Sequence, residues 1–227
     1  VSVVDLHGFT IHKNETLGIV GESGSGKSVT ALSIIGLLPE GAKVDSGRLI
    51  LGSGKDETDL LRLKEKELSH IRGKHISMIF QEPMTSLNPT MRCGKQVLET
   101  ILVHTKISSK DAKQKVIRLF EEVLLTDPER IAMAIACDPE ILIADEPTTA
   151  LDVTVQSAVL ATLKKIQTKR GMAMIFISHD LGLVSRIADR ILVMYKGKIV
   201  ESGKAADIFS QPQHKYTKAL LACRPSM

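Results

Sequence analysis

The eight residues Gly21-Glu22-Ser23-Gly24-Ser25-Gly26-Lys27-Ser28 follow the pattern G-x-x-x-x-G-K-S. A short apolar run, Leu17-Gly18-Ile19-Val20, precedes them and suits a buried strand. A helical pattern over 29–38 follows, and Pro39-Glu40-Gly41 is expected to stop it. Strand, glycine loop and helix in this order are the context in which the pattern becomes a phosphate site. Glycines let the backbone curl so that successive N–H groups point at phosphate oxygens. The following helix adds its positive N-terminal end. Lys27 can reach the outer phosphates of a nucleotide, the Ser28 hydroxyl can ligand Mg²⁺, and Val29 at the helix start is counted with the loop. The bland alternative is a glycine-rich turn with no ligand, and the placement of Lys27 and Ser28 after a strand argues against it.

Composition narrows the class. The chain has 227 residues, enough for one domain or a domain with a subdomain. Hydrophobic residues are 43% and charged residues 25%, an ordinary globular balance. No apolar run approaches the roughly 18 residues of a membrane span, and the order of a signal peptide is not seen. A cytoplasmic protein is expected, with any membrane role exerted through a partner. The net charge of +4 permits an anionic ligand. Aromatic residues are only 3%, so base-stacking platforms, and with them nucleic acid as a partner, are not expected. Cys93, Cys137 and Cys223 are far apart and read as reduced thiols, with Cys137 in an apolar helical pattern.

Hydrophobic patterning predicts strands at 1–4, at 9–11 and in the run that feeds the phosphate loop. A short strand is predicted over 47–52, a charged surface helix over 60–72 and a further strand over 75–80, which ends at Gln81-Glu82-Pro83. Two helical patterns follow, over 94–103 and 108–125. In the second, Ser108 and Asp111 have capping-box spacing, and Ala112, Val116, Leu119 and Val123 share one face. With no strand signal among them, a small helical subdomain is expected over 85–130, set into an α/β core formed by 1–84 and 131–227. A buried helix is predicted over 131–137, ended by Asp138-Pro139.

Ile141-Leu142-Ile143-Ala144-Asp145-Glu146 reads as a central parallel strand covered on both faces. Two carboxylates at the tip of such a strand are costly unless they serve a ligand there, where doubly wound folds keep theirs. This is a Walker B pattern. Asp145 is expected to hold Mg²⁺, directly or through water, and Glu146 to act as general base on the attacking water. A strand that simply ends in acids is the alternative. The helix after the loop at 147–152 carries Val155, Val159, Leu163 and Ile166 on one face and ends at Gly171. A strand over 172–177 leads into Ser178-His179-Asp180, where His179 would face the outer phosphate. Segments 191–195 and 198–200 read as a hairpin across Lys196-Gly197, followed by a short helix over 205–209.

Together these residues resemble the ATP-binding-cassette ATPase family over essentially the whole chain. The resemblance rests on the phosphate loop, Gln81, Walker B at Asp145-Glu146, the loop Ala150-Leu151-Asp152 and His179. Phe80-Gln81-Glu82-Pro83-Met84-Thr85-Ser86-Leu87-Asn88-Pro89, the run A-D-E-P-T-T-A-L-D from Ala144 to Asp152, and the tail from Gln211 to Leu221 are similar to the oligopeptide, dipeptide and nickel import branch. The resemblance implies a P-loop NTPase fold with a mainly parallel central sheet, an antiparallel β portion and a helical subdomain. It implies ATP and Mg²⁺ as ligands, Gln81 touching the metal and the attacking water, His179 on the γ-phosphate, and Asp152 acting across a dimer interface. It implies a second cassette and transmembrane permease subunits as partners, an extracytoplasmic solute-binding protein as an indirect one, and a peripheral place on the cytoplasmic face of the membrane. Met84, Leu87 and Met91 are expected to dock the membrane subunit, the alternative being that they merely pack the helical subdomain.

Two departures stand out. The family's LSGGQ-type signature should lie just before the helix near Ile131, but Asp127-Pro128-Glu129-Arg130 runs straight into Ile131-Ala132-Met133. The aromatic residue that the family places upstream of the phosphate loop has no counterpart, since Phe9 is too close to Gly21. Either these segments are deleted or the sequence is closed up across them, and the intact motifs on either side favour the second. The leading expectation is the ATPase subunit of an importer for peptides or nickel. The alternatives are a soluble cassette ATPase acting on nucleic acid or ribosomes and, if the signature is truly deleted, a non-hydrolysing nucleotide sensor.

Overall fold

Strand β1, Thr16–Val20, is buried along its whole length and lies inside a six-stranded sheet. The computed structural model describes residues 4–5, 8–52, 54–81, 87–123, 128–149 and 151–222. After β1 come helix α1, Lys27–Ile34, the two-residue strands β2, Ile50–Leu51, and β3, Thr58–Asp59, helix α2, Glu65–Ile71, and strand β4, Ile76–Ile79. Helices α3, Cys93–His104, α4, Ser109–Val123, and α5, Pro128–Ile135, form the middle of the chain. Strand β5, Ile141–Asp145, helix α6, Val153–Arg170, strand β6, Ala173–Ser178, and helix α7, Leu181–Ile187, follow. Strands β7, Arg190–Tyr195, and β8, Lys198–Lys204, then lead to helices α8, Ala205–Ser210, and α9, Lys215–Ala222.

The sheet order is β4-β5-β6-β1-β7-β8. All neighbours are parallel except β7 and β8, which form the predicted hairpin across Lys196 and Gly197. Both turn residues have positive φ, 48° and 77°, as a tight two-residue hairpin turn requires. Alternation along the inner strands feeds two cores. Val20, Leu142, Ala144, Met174 and Phe176 point to the face covered by α3 to α7. Leu17, Ile19, Ile143, Ile175 and Ile177 point to the opposite face, against Ala31, Ile34 and Ile35. Two covered faces account for the unbroken apolar runs of these strands.

The helices have local causes. Ser108 Oγ accepts the Asp111 N–H at 3.1 Å and donates to its carboxylate at 2.7 Å, starting α4. Ala112, Val116, Leu119 and Val123 are all buried, as their spacing predicts. Helix α6 begins on Asp152, whose side chain accepts the Val155 N–H at 3.0 Å, and ends at Gly171 with φ 67°. An ionic clasp ties the middle helices to α6. Arg170 donates to Glu122 at 2.6 Å and to Asp138 at 2.7 Å, while Lys169 donates to Glu122 and Lys115 to Asp138.

Several expectations are corrected. The strand at 9–11 does not form. No partner strand lies beside it among the described residues, and Phe9 and Ile11 rest half-buried on the second core instead. Val4 is not in a strand, and residues 1–3 of that expectation lie outside the described residues. Helix α1 stops at Ile34 rather than at Pro39. Gly36 takes the left-handed conformation, and the N–H groups of Gly36 and Leu37 bond back to Ser33 and Leu32, a closed helix end. The surface helix at 60–72 is a 3₁₀ turn, Leu60–Arg62, followed by α2, because Leu60 turns inward and is buried. Helix α5 starts at Pro128 and runs unbroken through residues 130 and 131. Cys137 lies just past its end, only partly buried, with its thiol 3.7 Å from the Thr100 carbonyl oxygen.

Candidate nucleotide-phosphate site

Register brings the predicted residues together. Ile177 on β6 is level with both Ile19 on β1 and Asp145 on β5. The strand tips therefore deliver the phosphate loop, the acidic pair and His179 to one edge of the sheet. Ligand sites of open parallel sheets are built at this edge.

Two glycines of the loop have no substitute. A Cβ on Gly21 would lie 2.2 Å from the Met194 carbonyl oxygen, and one on Gly26 would lie 2.8 Å from Val4 Cγ2, where φ is also 101°. The hairpin turn grips the loop from the side, since the Gly197 N–H donates to the Ser25 carbonyl at 3.0 Å. Glu22, Ser23 and Gly24 form the exposed rim, while Ser25, Gly26 and Lys27 are buried and Ser28 and Val29 are half-buried. Ser25 Oγ is buried with no hydrogen-bond partner.

Lys27 folds back over the loop. Its ammonium donates to the carbonyls of Gly21 at 2.8 Å and Glu22 at 2.9 Å. Burial pulls its pKa down, and the carboxylates of Glu146 and Asp145 pull it up again, with the net shift downward. Asp145 shows the complementary strain. Burial raises its carboxyl pKa, a hydrogen bond from Ser28 opposes this, Glu146 adds to it and Lys27 opposes it. Asp145 Oδ1 has no hydrogen-bond partner. A buried carboxylate oxygen without a partner costs free energy unless a ligand completes it. With the Ser28 hydroxyl beside it, the donor set fits a hard divalent cation that takes its remaining ligands from phosphate and water.

Glu146 lies just past β5 with φ 46°, an uncommon conformation for a non-glycine residue. Its N–H donates to Ile177 O at 3.0 Å, which anchors the strained peptide to the neighbouring strand. Its carboxylate has a neighbour at each oxygen, and one of the two is a hydrogen bond. His179 Nδ1 is 3.1 Å from Oε1, and the Thr149 hydroxyl donates to Oε2 at 2.9 Å. The Glu146 side chain is 11% exposed, whereas that of His179 is 62% exposed.

Not every predicted residue gathers here. Gln81 is exposed at a bend after β4, and the preceding Phe80 carbonyl accepts a hydrogen bond from Arg130. Asp152 is exposed at the start of α6 and is engaged as its cap. Met84, Ala150 and Cys223 lie outside the described residues, while Leu87 and Met91 are half-buried. Sequence reasoning missed Tyr216. Its phenolic oxygen accepts the Glu22 N–H at 3.0 Å, and its ring stacks on Tyr195 with centroids 4.2 Å apart. The advance signals were its place in the tail from Gln211 to Leu221 that carries the resemblance, and the position of Tyr195 beside the predicted hairpin turn. Among the described residues no helix is long and apolar enough to cross a membrane.

Residues 5–149 match the ABC transporter family. The chain is 50% identical over 238 residues to the dipeptide transport ATP-binding protein DppD of Bacillus subtilis, covering 96% of this chain and 70% of that protein. It is 48% identical to the oligopeptide transport ATP-binding protein OppD of the same organism, covering 96% of this chain and 65% of that one. A putative peptide import ATP-binding protein of Brucella ovis is 44% identical over 247 residues, taking in 100% of this chain and 72% of the relative. That span exceeds the 227 residues present here, so the relative carries residues that this chain lacks. Among solved structures, the dimeric ATP-binding cassette MJ0796, bound to ADP and Pi, superposes with a TM-score of 0.76 at 24% identity, covering 87% of this chain and 88% of that one. The same cassette in a second dimeric structure gives the same score.

Proposed function

The chain belongs to the ABC transporter family, and from that premise we propose that it hydrolyses ATP as the energy-coupling subunit of a peptide importer. The observation that carries this reading is the partnerless Asp145 oxygen beside Ser28 and Lys27, one residue before Glu146. The peptide assignment rests on relatives whose names specify dipeptide or oligopeptide transport. Nickel, the other solute of the resembled branch, is the second reading.

Lys27 leaves the carbonyls of Gly21 and Glu22 to meet the β- and γ-phosphates, a charge-assisted contact that gains strength from its burial. The loop's N–H groups and the start of α1 hold the remaining phosphate oxygens. Ser28 and Asp145 would hold Mg²⁺, Gln81 would have to move in from its exposed bend after β4 to touch it, and the ion would supply charge to offset that of the phosphates. Glu146 takes a proton from water as the water oxygen bonds to the γ-phosphorus and the bond to the bridging oxygen breaks. His179 leaves Glu146 to meet the γ-phosphate. Two cassettes close face to face, with Asp152 at the seam, and hydrolysis lets them part. The helical subdomain is read over 85–130, with α3 and α4 as its described helices, and Leu87 and Met91 would dock the permease at the cytoplasmic face of the membrane. If residues 130 and 131 are natural neighbours, the chain is instead a nucleotide sensor that cannot complete a partner's site.

The test is uptake into vesicles that contain this chain, its permease and its solute-binding protein. ATP-dependent accumulation of a labelled dipeptide or oligopeptide is the expected result. ATP-dependent uptake of nickel with no peptide uptake would transfer the assignment to the metal, and absence of ATP turnover would overturn the enzyme reading.

A further inference from the structure

We propose that Thr149 is a positioning residue for ATP hydrolysis, clamping one oxygen of the Glu146 carboxylate so that the other is presented to water. The inference rests on the reading of Glu146 as general base and adds a residue to it. Thr149 Oγ1 donates to Glu146 Oε2 at 2.9 Å, and the Thr149 N–H donates to the Glu146 carbonyl at 3.2 Å. Hydroxyl and carboxylate thus belong to one short turn and move as a unit. Thr149 is exposed, but the turn that carries it is anchored on its inner side: Pro147 and Thr148 are buried, and the Thr148 carbonyl accepts from the Leu151 N–H and from the Gln156 side chain on α6.

The other oxygen has a looser neighbour, an ion pair only when the imidazole is protonated. His179 reaches Oε1 from the tip of β6, and its side chain is largely exposed. A partner from a separate strand, open to solvent, can turn away without disturbing the turn. When it does, Oε1 is released while Oε2 stays fixed by Thr149. A carboxylate held at one oxygen keeps a single orientation, whereas one held at neither samples the rotamers open to a glutamate side chain. A base must lie within about 2.6–3.2 Å, heavy atom to heavy atom, of the group whose proton it abstracts, and rate falls steeply when that aim is lost. Glu146 has φ 46°, and the Thr149 hydroxyl bonds its side chain from within the same turn.

Thr149→Val removes the hydroxyl and keeps the shape, and Thr149→Ser restores it. Measured as phosphate release by the chain assembled with its permease, Thr149→Val is expected to lower kcat about tenfold or more, the worth of one hydrogen bond to a charged group. ATP affinity should stay within about twofold, and Thr149→Ser should recover most of the rate. In a Glu146→Gln background, Thr149→Val should cost little further, because residues that act through one another are non-additive. Unchanged kcat in Thr149→Val, no recovery in Thr149→Ser, or a full additional loss in the Glu146→Gln background would each overturn the clamp. Near-normal turnover in Glu146→Gln alone would overturn the general-base reading instead, so the two failures are distinguishable.

Discussion

The Glu22 N–H donates to the phenolic oxygen of Tyr216 at 3.0 Å, across a separation of 194 residues. Helix α9 thereby holds the rim of the phosphate loop. Tyr216→Phe keeps the stack on Tyr195 and removes only this bond. Loss of one neutral hydrogen bond, about 0.5–1.5 kcal/mol, should weaken ATP binding several-fold in calorimetric titration and lower the melting temperature by no more than a few degrees. Equal ATP affinity in the two proteins would show that α9 does not hold the loop in its binding form.

Lys27→Ala removes the cation buried in the loop. ATP affinity should fall several-fold to hundreds-fold, from about 1.5–3 kcal/mol for a charged hydrogen bond. The folded protein should tolerate the change, since burial already opposes the charge. A titration with unaltered affinity would remove Lys27 from the site.

Glu146→Gln keeps the shape and the bond from Thr149 but cannot accept a proton. Turnover should drop by about 10²–10⁴ with ATP binding preserved, and a nucleotide-bound dimer should accumulate on gel filtration. Near-normal turnover would move the base elsewhere, with His179 next in line.

The clasp around Arg170 makes a prediction about acid stability. Burial pushes the Glu122 carboxyl up, but Lys169 and Arg170 more than offset it, so its pKa lies below the ordinary carboxylate value. A carboxyl depressed on folding adds stability above its unfolded pKa, and that stability disappears as pH falls through the folded value. Glu122→Gln should lower stability at neutral pH by about 1–3 kcal/mol, between the exposed and fully buried extremes. The gap between variant and wild type should close in strong acid. Parallel denaturation midpoints from pH 7 to pH 3 would rule the clasp out as a stabilising element.

The junction of Arg130 and Ile131 can be read chemically. A Glu-specific digest of the protein from its own cells should not yield a contiguous peptide 130–140, because a signature segment is expected between those two residues. Recovery of that peptide by mass spectrometry would establish a true deletion and favour the nucleotide sensor.

How far the sequence revealed this arrangement depended on where each signal was stored. Strands β5 and β6 were legible because burial on both faces leaves an unbroken apolar run, which a half-exposed strand would interrupt with polar residues. The pairing of Ser108 with Asp111 gave the start of α4 to within a residue. Helix α7 went unseen, although its cap was present in the sequence: the Asp180 carboxylate accepts the N–H groups of Gly182 and Leu183. The glycine just inside that helix weakens the periodic signal. Lys27, Ser28, Asp145 and Glu146 were readable because motif spacing encodes them. The partners that orient them were not. Thr149 meets Glu146 only once the chain turns left-handed at Glu146, and Tyr216 meets Glu22 only once α9 docks. The 9–11 strand failed because pairing is a property of two segments, and one segment alone cannot report it.

The sheet order has a consequence for how this protein is made. Strand β1 carries the phosphate loop, yet its neighbours are β6, which begins at Ala173, and β7, which ends at Tyr195. A ribosome therefore releases the loop long before it releases anything for β1 to pair with. Until β6 and β7 emerge, the apolar run Leu17-Gly18-Ile19-Val20 has neither flank covered, the kind of exposure that favours misassociation. The phosphate loop thus reaches its paired setting only once β6 and β7 have both been made.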